Sequence, residues 1–93
     1  MSTPLRAKYG LIRDSSDFGQ LCRAERKRQG LTLDEMYVST SLSTRFLSEF
    51  ERGKQHASMS RVLQALQSLG LDVLVVPRKA VPKLTRALAD EES

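Results

Sequence analysis

The stretch that decides the fold runs from Leu31 to Lys54 and reads LTLDEMYVSTSLSTRFLSEFERGK. It contains two short segments with helical periodicity, separated by a run of Ser and Thr over residues 39–43. Thr32, followed three residues later by Glu35, predicts a capping box, in which a hydroxyl and a carboxylate each accept a hydrogen bond from a backbone N–H group at a helix start. We therefore predict a short helix whose apolar side consists of Leu33, Met36 and Tyr37.

A second short helix is predicted to begin after Ser43, which is a good N-cap residue. Gly53 is expected to end it, because glycine adopts the left-handed conformation at a helix C-terminus without strain. Phe46, Leu47 and Phe50 recur at one helical spacing and predict its buried face. Two short helices joined by a tight turn make a helix-turn-helix, and the exposed residues of its second helix are Thr44, Arg45, Ser48 and Glu49.

The chain on either side of this stretch supplies helices that can pack against it. Asp14 predicts the start of a helix over residues 15–29, and Ser58 predicts the start of another over residues 59–69. Each is followed by a glycine, which is a typical helix end. The predicted core residues are Phe18, Leu21 and Cys22 in the first of these helices, and Val62, Leu63, Leu66 and Leu69 in the second.

Residues 71–76 form a short, mostly β-branched apolar run that ends at Pro77 and predicts a strand. The sequence has no second strand candidate, so a lone strand would leave a row of unpaired backbone groups at an apolar edge. Pairing with the same strand of a second copy across a two-fold axis removes that edge. The alternative is an extended tail packed on its own core. The predicted dimerisation strand consists of Leu71, Asp72, Val73, Leu74, Val75 and Val76.

Composition limits the possible functions. Ninety-three residues suit one small domain with short tails, and a net charge of +4 with a pI near 9.6 fits a polyanionic partner. One Cys and one His cannot build a structural zinc site or an internal disulfide. No Gly-rich nucleotide loop and no catalytic constellation is found, so we expect no enzyme activity, no cofactor and no metal. Without a signal peptide or an apolar run long enough to span a membrane, the protein is expected to be cytoplasmic.

Residues 18–76 resemble the phage-repressor type of helix-turn-helix, the Cro/C1-like or Xre family. Within that family the sequence is most similar to HipB-type antitoxins, because residues 63–70 (LQALQSLG) run straight into the strand 71–76 (LDVLVV). The residues that carry the family resemblance are Gly30-Leu31-Thr32 before the first short helix, Leu42-Ser43 at the end of the turn, and Glu51-Arg52-Gly53-Lys54 after the second.

The resemblance implies an all-α fold: a four- to five-helix, phage-repressor-like helix-turn-helix domain with one C-terminal β-strand that pairs across a dimer. The chain is then expected to divide into a flexible basic arm (1–13), a DNA-binding and dimerisation domain (14–76) and a disordered tail (77–93). Three residues depart from the family pattern: Leu33 stands where a phosphate-contacting Gln is usual, Ser41 where the turn has Gly, and Glu25 where the first helix has Leu.

A two-fold dimer would place the helix over residues 43–52 of each copy in successive major grooves, ~34–36 Å apart, on an inverted-repeat operator in double-stranded DNA. Arg45 suits a bidentate contact with guanine O6 and N7. Glu49 can accept from cytosine N4, or it can only steer Arg45. The predicted base contacts are Thr44, Arg45, Ser48 and Glu49; the predicted phosphate contacts are Thr32, Ser43, Arg52 and Lys54, with capping alone as the alternative for the hydroxyls.

The family resemblance also implies a structural pair between Arg26 and Glu51, which ties the first helix to the end of the recognition helix. It implies a homodimeric transcriptional repressor that serves as the antitoxin of a HipA-like serine/threonine kinase toxin and autoregulates its operon. Two alternatives remain open. One is a free-standing Xre-type regulator without a toxin partner. The other is a protein-interaction module that has lost DNA binding, which Leu33 in place of Gln favours.

Overall fold

The computed structural model describes residues 9–92 and places five α-helices in them. The predicted all-α, helix-turn-helix architecture is confirmed. Within residues 9–92 no β-strand is formed; residues 71–77 have no regular secondary structure in the single chain. The helices are α1 (Ser15–Arg28), α2 (Leu33–Thr40), α3 (Thr44–Glu51), α4 (Met59–Ser68) and α5 (Val81–Glu92), the last preceded by one 3₁₀ turn (Arg78–Ala80).

Side chains in the sequence cap the first three helices. Asp14 Oδ1 accepts from the Asp17 N–H at 3.1 Å and starts α1. At α2, Thr32 Oγ1 accepts from the Glu35 N–H at 3.1 Å while Glu35 Oε1 accepts from the Thr32 N–H at 2.8 Å, which completes the capping box. Ser43 Oγ accepts from the Phe46 N–H at 3.0 Å and starts α3. Each cap satisfies an N–H group that has no partner inside its helix.

The turn between α2 and α3 depends on Ser41, which has the left-handed conformation with φ of 65°. Its N–H donates to the Tyr37 carbonyl at 2.7 Å. Beside it, the Thr40 hydroxyl donates to the Met36 carbonyl at 2.6 Å and accepts from the Leu42 N–H at 3.0 Å. These bonds hold a serine where glycine would adopt the same conformation with less strain.

The core lies between α1, α2, α3 and α4. Met36 and Thr40, four residues apart, form the buried side of α2. Tyr37 differs from the prediction: its side chain is 52% exposed, because it lies about 100° around the helix from Met36. The buried apolar residues are Cys22, Met36, Leu42, Leu47, Phe50, Val62, Ala65, Leu66 and Leu69.

Gly19 allows α1 and α3 to approach closely. It is buried in the middle of α1, and a Cβ atom built there would lie 2.0 Å from the Phe50 carbonyl oxygen. No rearrangement of a flexible side chain can relieve such a contact, because the obstacle is backbone. The helix crossing that carries α3 therefore requires glycine at this position.

The C-terminal residues differ from the prediction of a disordered tail for 77–93. Residues 81–92 form α5, and Val81, Leu84 and Leu88 on one side of it line an apolar groove together with residues 9–12 and 71–76. A helix of this length is marginal alone, so this apolar contact supplies the stabilisation that the segment lacks in isolation. Of the predicted arm 1–13, residues 1–8 lie outside the described residues.

Candidate nucleic-acid interface

The exposed face of α3 carries the four predicted base contacts. Leu47 and Phe50 are buried on the opposite side and fix the helix on the core. Phe46 is held between the Phe50 ring, 6.0 Å away between centroids, and the Arg61 guanidinium, 5.8 Å from its centroid. A rigid helix thus presents a short polar surface, in which the Arg45 side chain is 88% exposed and the side chains of Thr44, Ser48 and Glu49 are partly exposed.

A network of three charges occupies this surface. Arg45 Nε donates to Glu49 Oε2 at 3.4 Å, and Lys54 Nζ donates to Glu49 Oε1 at 3.1 Å. The hydrogen bond from Lys54, followed by its charge, lowers the pKa of the Glu49 carboxyl, and Arg45 acts in the same direction. The network keeps one net positive charge, which suits a polyanion.

A cleft of about 570 Å³ lies between the end of α1 and the starts of α2 and α3. Lys27, Thr32 and Thr44 line it, so two predicted contacts share one surface with a cation of α1 that the predicted sites did not include. The hydroxyls of Thr32 and Ser43 are both used as caps. Arg52 and Lys54 are exposed just beyond α3. Together these residues border the exposed face of α3 with hydroxyls, helix N-termini and cations.

A buried ion pair joins the two ends of this surface. Arg26 Nε donates to Glu51 Oε2 at 2.7 Å, Arg26 Nη2 donates to Glu51 Oε1 at 2.9 Å, and Arg26 Nη1 donates to the Leu31 carbonyl at 2.7 Å. Both side chains are almost fully buried. The hydrogen bond to Glu51 raises the pKa of Arg26. The pair thereby fixes the end of α3 against the end of α1.

Glu25 is a third buried charge, and the sequence marked it only as a departure from the family pattern. It is 2% exposed and accepts from Tyr9 Oη at 2.7 Å, from Gln29 Nε2 at 2.8 Å and from the Arg28 guanidinium. These bonds, above all those from Arg28, lower its pKa to about 2. Gln29 Nε2 also donates to the Leu69 carbonyl at 2.8 Å. The signal in the sequence was an Arg and a Gln three and four residues after Glu25, one helical turn away.

The predicted dimerisation strand lies away from α3, on the groove beside α5. The groove has a volume of about 720 Å³. Leu71 and Val76, at the two ends of the segment, are half-buried against the chain. Leu74 and Val75 are 73% and 93% exposed. The single chain therefore leaves an apolar surface uncovered at this place.

Neither a metal site nor a membrane span is found in the part of the chain that the structure describes. Residues 9–92 contain no group of three or more His, Cys, Asp or Glu side chains that could hold a metal ion. No helix in the same range is both long and apolar enough to cross a bilayer.

Comparison with known proteins identifies similarity to a transcriptional regulator in sequence and to HipB complexes in fold. No protein-family model matches the chain. It is 39% identical over 62 residues to the uncharacterized HTH-type transcriptional regulator y4mF of Sinorhizobium fredii (strain NBRC 101917 / NGR234), which covers 67% of this chain and 82% of the relative. The fold is similar to that in a HipB-O4 20mer complex, with a TM-score of 0.70, 18% identity and coverage of 75% of this chain and 99% of the other. A HipB variant in its O2 20mer complex also gives a TM-score of 0.70, at 18% identity, covering 76% and 99%.

Proposed function

The chain belongs to the HTH-type transcriptional regulators, and from this premise we propose that it is a dimeric, sequence-specific DNA-binding repressor. We further propose that it is the antitoxin of a HipA-like serine/threonine kinase toxin and autoregulates its operon in the cytoplasm. The observation that carries the DNA-binding proposal is the exposed guanidinium of Arg45 on α3, a helix whose opposite side is buried in the core.

The surface around α3 supports binding to the major groove. An α-helix fits that groove, and an Arg side chain with a free guanidinium edge can donate to guanine O6 and N7. Thr44 and Ser48 lie beside Arg45 on the same face. Thr32 and Ser43 at the starts of α2 and α3, and Arg52 and Lys54 after α3, are the proposed phosphate contacts, because helix N-termini and cations attract phosphate.

The exposed segment 71–76 supports a homodimer. Exposure of the apolar Leu74 and Val75 side chains to water is unfavourable, and within residues 9–92 the backbone groups of this segment have no strand partner. Antiparallel pairing with the same segment of a second copy, across a two-fold axis, would cover the apolar side chains and pair the backbone groups. Two copies of α3 then read an inverted repeat with half-sites ~34–36 Å apart.

The antitoxin role is supported more narrowly. The fold similarity to HipB in complexes with 20mers, at 18% identity, fits a HipB-like protein, and the sequence resemblance supplies the kinase partner. The relative y4mF is described as a transcriptional regulator, which favours the second candidate function, a free-standing regulator without a toxin. Purification of the protein with a kinase encoded beside it distinguishes the two: a stable complex supports the antitoxin, and its absence supports the free-standing regulator.

DNA binding is tested with a fragment of the protein's own promoter over a range of salt concentrations. Arg45→Ala is expected to weaken specific binding by about 1–3 kcal/mol, because one bidentate base contact is lost. Arg86→Ala, which removes the same charge from exposed α5, is the matched control and should retain promoter preference. Equal binding of wild type to promoter and random DNA would contradict the proposal and favour an interaction module.

A further inference from the structure

Glu49 is an acidic residue on a surface that is otherwise suited to a polyanion. Both of its carboxylate oxygens already contact a cation: Oε2 accepts from Arg45 Nε and Oε1 accepts from Lys54 Nζ. Its side chain is 29% exposed, against 88% for Arg45. The Glu49 carboxylate is therefore the more restricted group of the network. The longer side chains of Arg45 and Lys54 each contact one of its oxygens.

The contact to Arg45 leaves the useful edge of the guanidinium open. An Arg side chain carries five N–H donors in a rigid planar fork, and the Glu49 bond uses Nε alone. Because the Arg45 side chain is 88% exposed, the edge formed by Nη1 and Nη2 is open to solvent. That edge provides two parallel donors, which is the pattern that guanine O6 and N7 accept in the major groove.

The position of Lys54 is fixed by the backbone as well as by its side chain. The Lys54 N–H donates to the Glu49 carbonyl at 3.1 Å, across the turn at Gly53, where φ is 95°. This bond places the Lys54 ammonium beside the Glu49 carboxylate. An ammonium has three donors, so one bond to Glu49 leaves two for a phosphate oxygen.

We propose that Glu49 is a positioning residue that selects guanine through Arg45 and makes no base contact of its own. This inference rests on the proposed DNA binding and deepens it, because it assigns one G·C pair to the Arg45 position of each half-site. To accept from cytosine N4, Glu49 would have to share an oxygen that already accepts from Arg45 or Lys54. Such a contact would also move the carboxylate away from its two cations and toward a base edge flanked by phosphates, which repel a negative charge.

The test uses the full-length protein and a duplex that the wild type selects from a random 20-bp library. Each base pair of one half-site is then replaced in turn, and binding is measured for wild type, Glu49→Ala, Glu49→Gln, Arg45→Ala and the double variant Arg45→Ala/Glu49→Ala. Glu49→Ala should lower the preference for guanine about tenfold at a single position, because an untethered Arg45 retains only part of its bidentate discrimination.

Three further results are expected. Glu49→Gln should retain part of the preference, since an amide oxygen can still accept from Arg45 Nε. The double variant should match Arg45→Ala at every position, because positioning has no effect without the residue that is positioned. Glu49→Ala should also bind random DNA more tightly, because a negative charge is removed from the surface. The control Glu91→Gln, on exposed α5, should change neither the preference for guanine nor the affinity for random DNA. Thermal unfolding by circular dichroism confirms that each variant folds.

Several outcomes would overturn the inference. Loss of a cytosine preference at a second position, additive with Arg45→Ala, would show that Glu49 reads a base itself. An unchanged preference at every position in Glu49→Ala would show that Glu49 has no role in selection. If the wild type selects no sequence from the library, the proposed DNA-binding function fails, and this assignment fails with it.

Discussion

The helix-turn-helix half of the molecule, α1 to α4, and the C-terminal half, residues 71–92, are stabilised in opposite ways. In the first half the apolar side chains close into one core, and the buried charges of Glu25, Arg26 and Glu51 all have partners. In the second half Leu74 and Val75 lie exposed beside an open groove. We infer that the half that reads DNA is complete in one chain, whereas the C-terminal half is completed by a second copy.

The difference follows from what each segment can bury. A helix pair joined by a short turn can direct its apolar stripes at α1 and α4, so the core needs no further chain. A single extended segment has two apolar faces and two hydrogen-bonding edges, and one neighbouring surface cannot cover all of them. Substitutions in the first half should therefore change the stability of the fold, and substitutions in the second should change association.

Glu51→Ala should give the largest effect, because it leaves the Arg26 guanidinium buried without its carboxylate. Loss of one partner of a buried ion pair costs about 3–5 kcal/mol. The matched control is Arg13→Ala, which breaks the exposed pair of Arg13 with Asp17, separated by 3.6 Å, and should cost under about 1 kcal/mol. Urea unfolding at fixed protein concentration measures both. If the two variants lost similar amounts of unfolding free energy, the buried pair of Arg26 and Glu51 would not stabilise the first half as proposed.

Glu25→Gln tests the hydrogen-bond network that joins Tyr9, the end of α1 and the Leu69 carbonyl, through its effect on the pH dependence of stability. The folded pKa of Glu25 is lowered from its ordinary value of 4.5 to about 2, so its stabilisation is present above pH 4.5 and is lost as pH falls from about 4.5 to about 2. A shift of this size corresponds to about 3 kcal/mol. The variant should be less stable than wild type at pH 7 and should lose less stability over the acid range.

The control for this pH experiment is Glu91→Gln, which removes an exposed carboxylate of α5. Its unfolding free energy should follow the wild-type curve from pH 7 to pH 2. Parallel curves for Glu25→Gln and wild type across the acid range would show that Glu25 does not titrate as the structure indicates.

Val75→Asp should distinguish the two halves most clearly, by changing association and leaving the fold of α1–α4 intact. It places a charge where we propose that a second copy packs. Loss of the apolar contact and burial of a carboxylate should weaken dimerisation by about 3 kcal/mol. The control is Val38→Asp, which alters an apolar side chain on α2 that is also mostly exposed. Sedimentation at several concentrations should show monomers for Val75→Asp alone, with α1–α4 still folded by circular dichroism. Equal association of both variants would contradict the proposed strand interface.

Local patterns in the sequence were sufficient for most of the first half. Caps such as Thr32 with Glu35 act over three residues, so their chemistry is visible in a short window. The family pattern marked residue 41 as a departure, because glycine is usual there, and the structure gives Ser41 the left-handed conformation. The resemblance implied a pair between Arg26 and Glu51, and the structure places these two side chains in contact.

Long-range contacts could not be predicted in the same way. The requirement for glycine at position 19 comes from a Phe50 carbonyl 31 positions away, and nothing near Gly19 indicates it. The hydrogen bond from Tyr9 to Glu25 also joins residues that are distant in sequence. Helix α5 depends on a groove assembled from three separate segments, so its own short sequence predicted a tail. Occupation of both Glu49 oxygens needed the turn at Gly53, which brings Lys54 back along α3.

Ser41→Gly should have the smallest effect, and it should act in the stabilising direction. Serine pays a steric penalty of about 1 kcal/mol at a φ of 65°, where glycine has none. The greater freedom of glycine in the unfolded chain offsets part of this gain, so we expect a net increase of ~0.5 kcal/mol in the unfolding free energy. Ser39→Gly, inside α2, is the matched control and should be destabilising by up to about 1 kcal/mol. Because residue 41 lies in the first half, the dimer dissociation constant should stay unchanged in both variants. A loss of stability in Ser41→Gly would contradict a steric penalty at residue 41, because the Ser41 N–H bond and both Thr40 hydroxyl bonds are available in the variant as well.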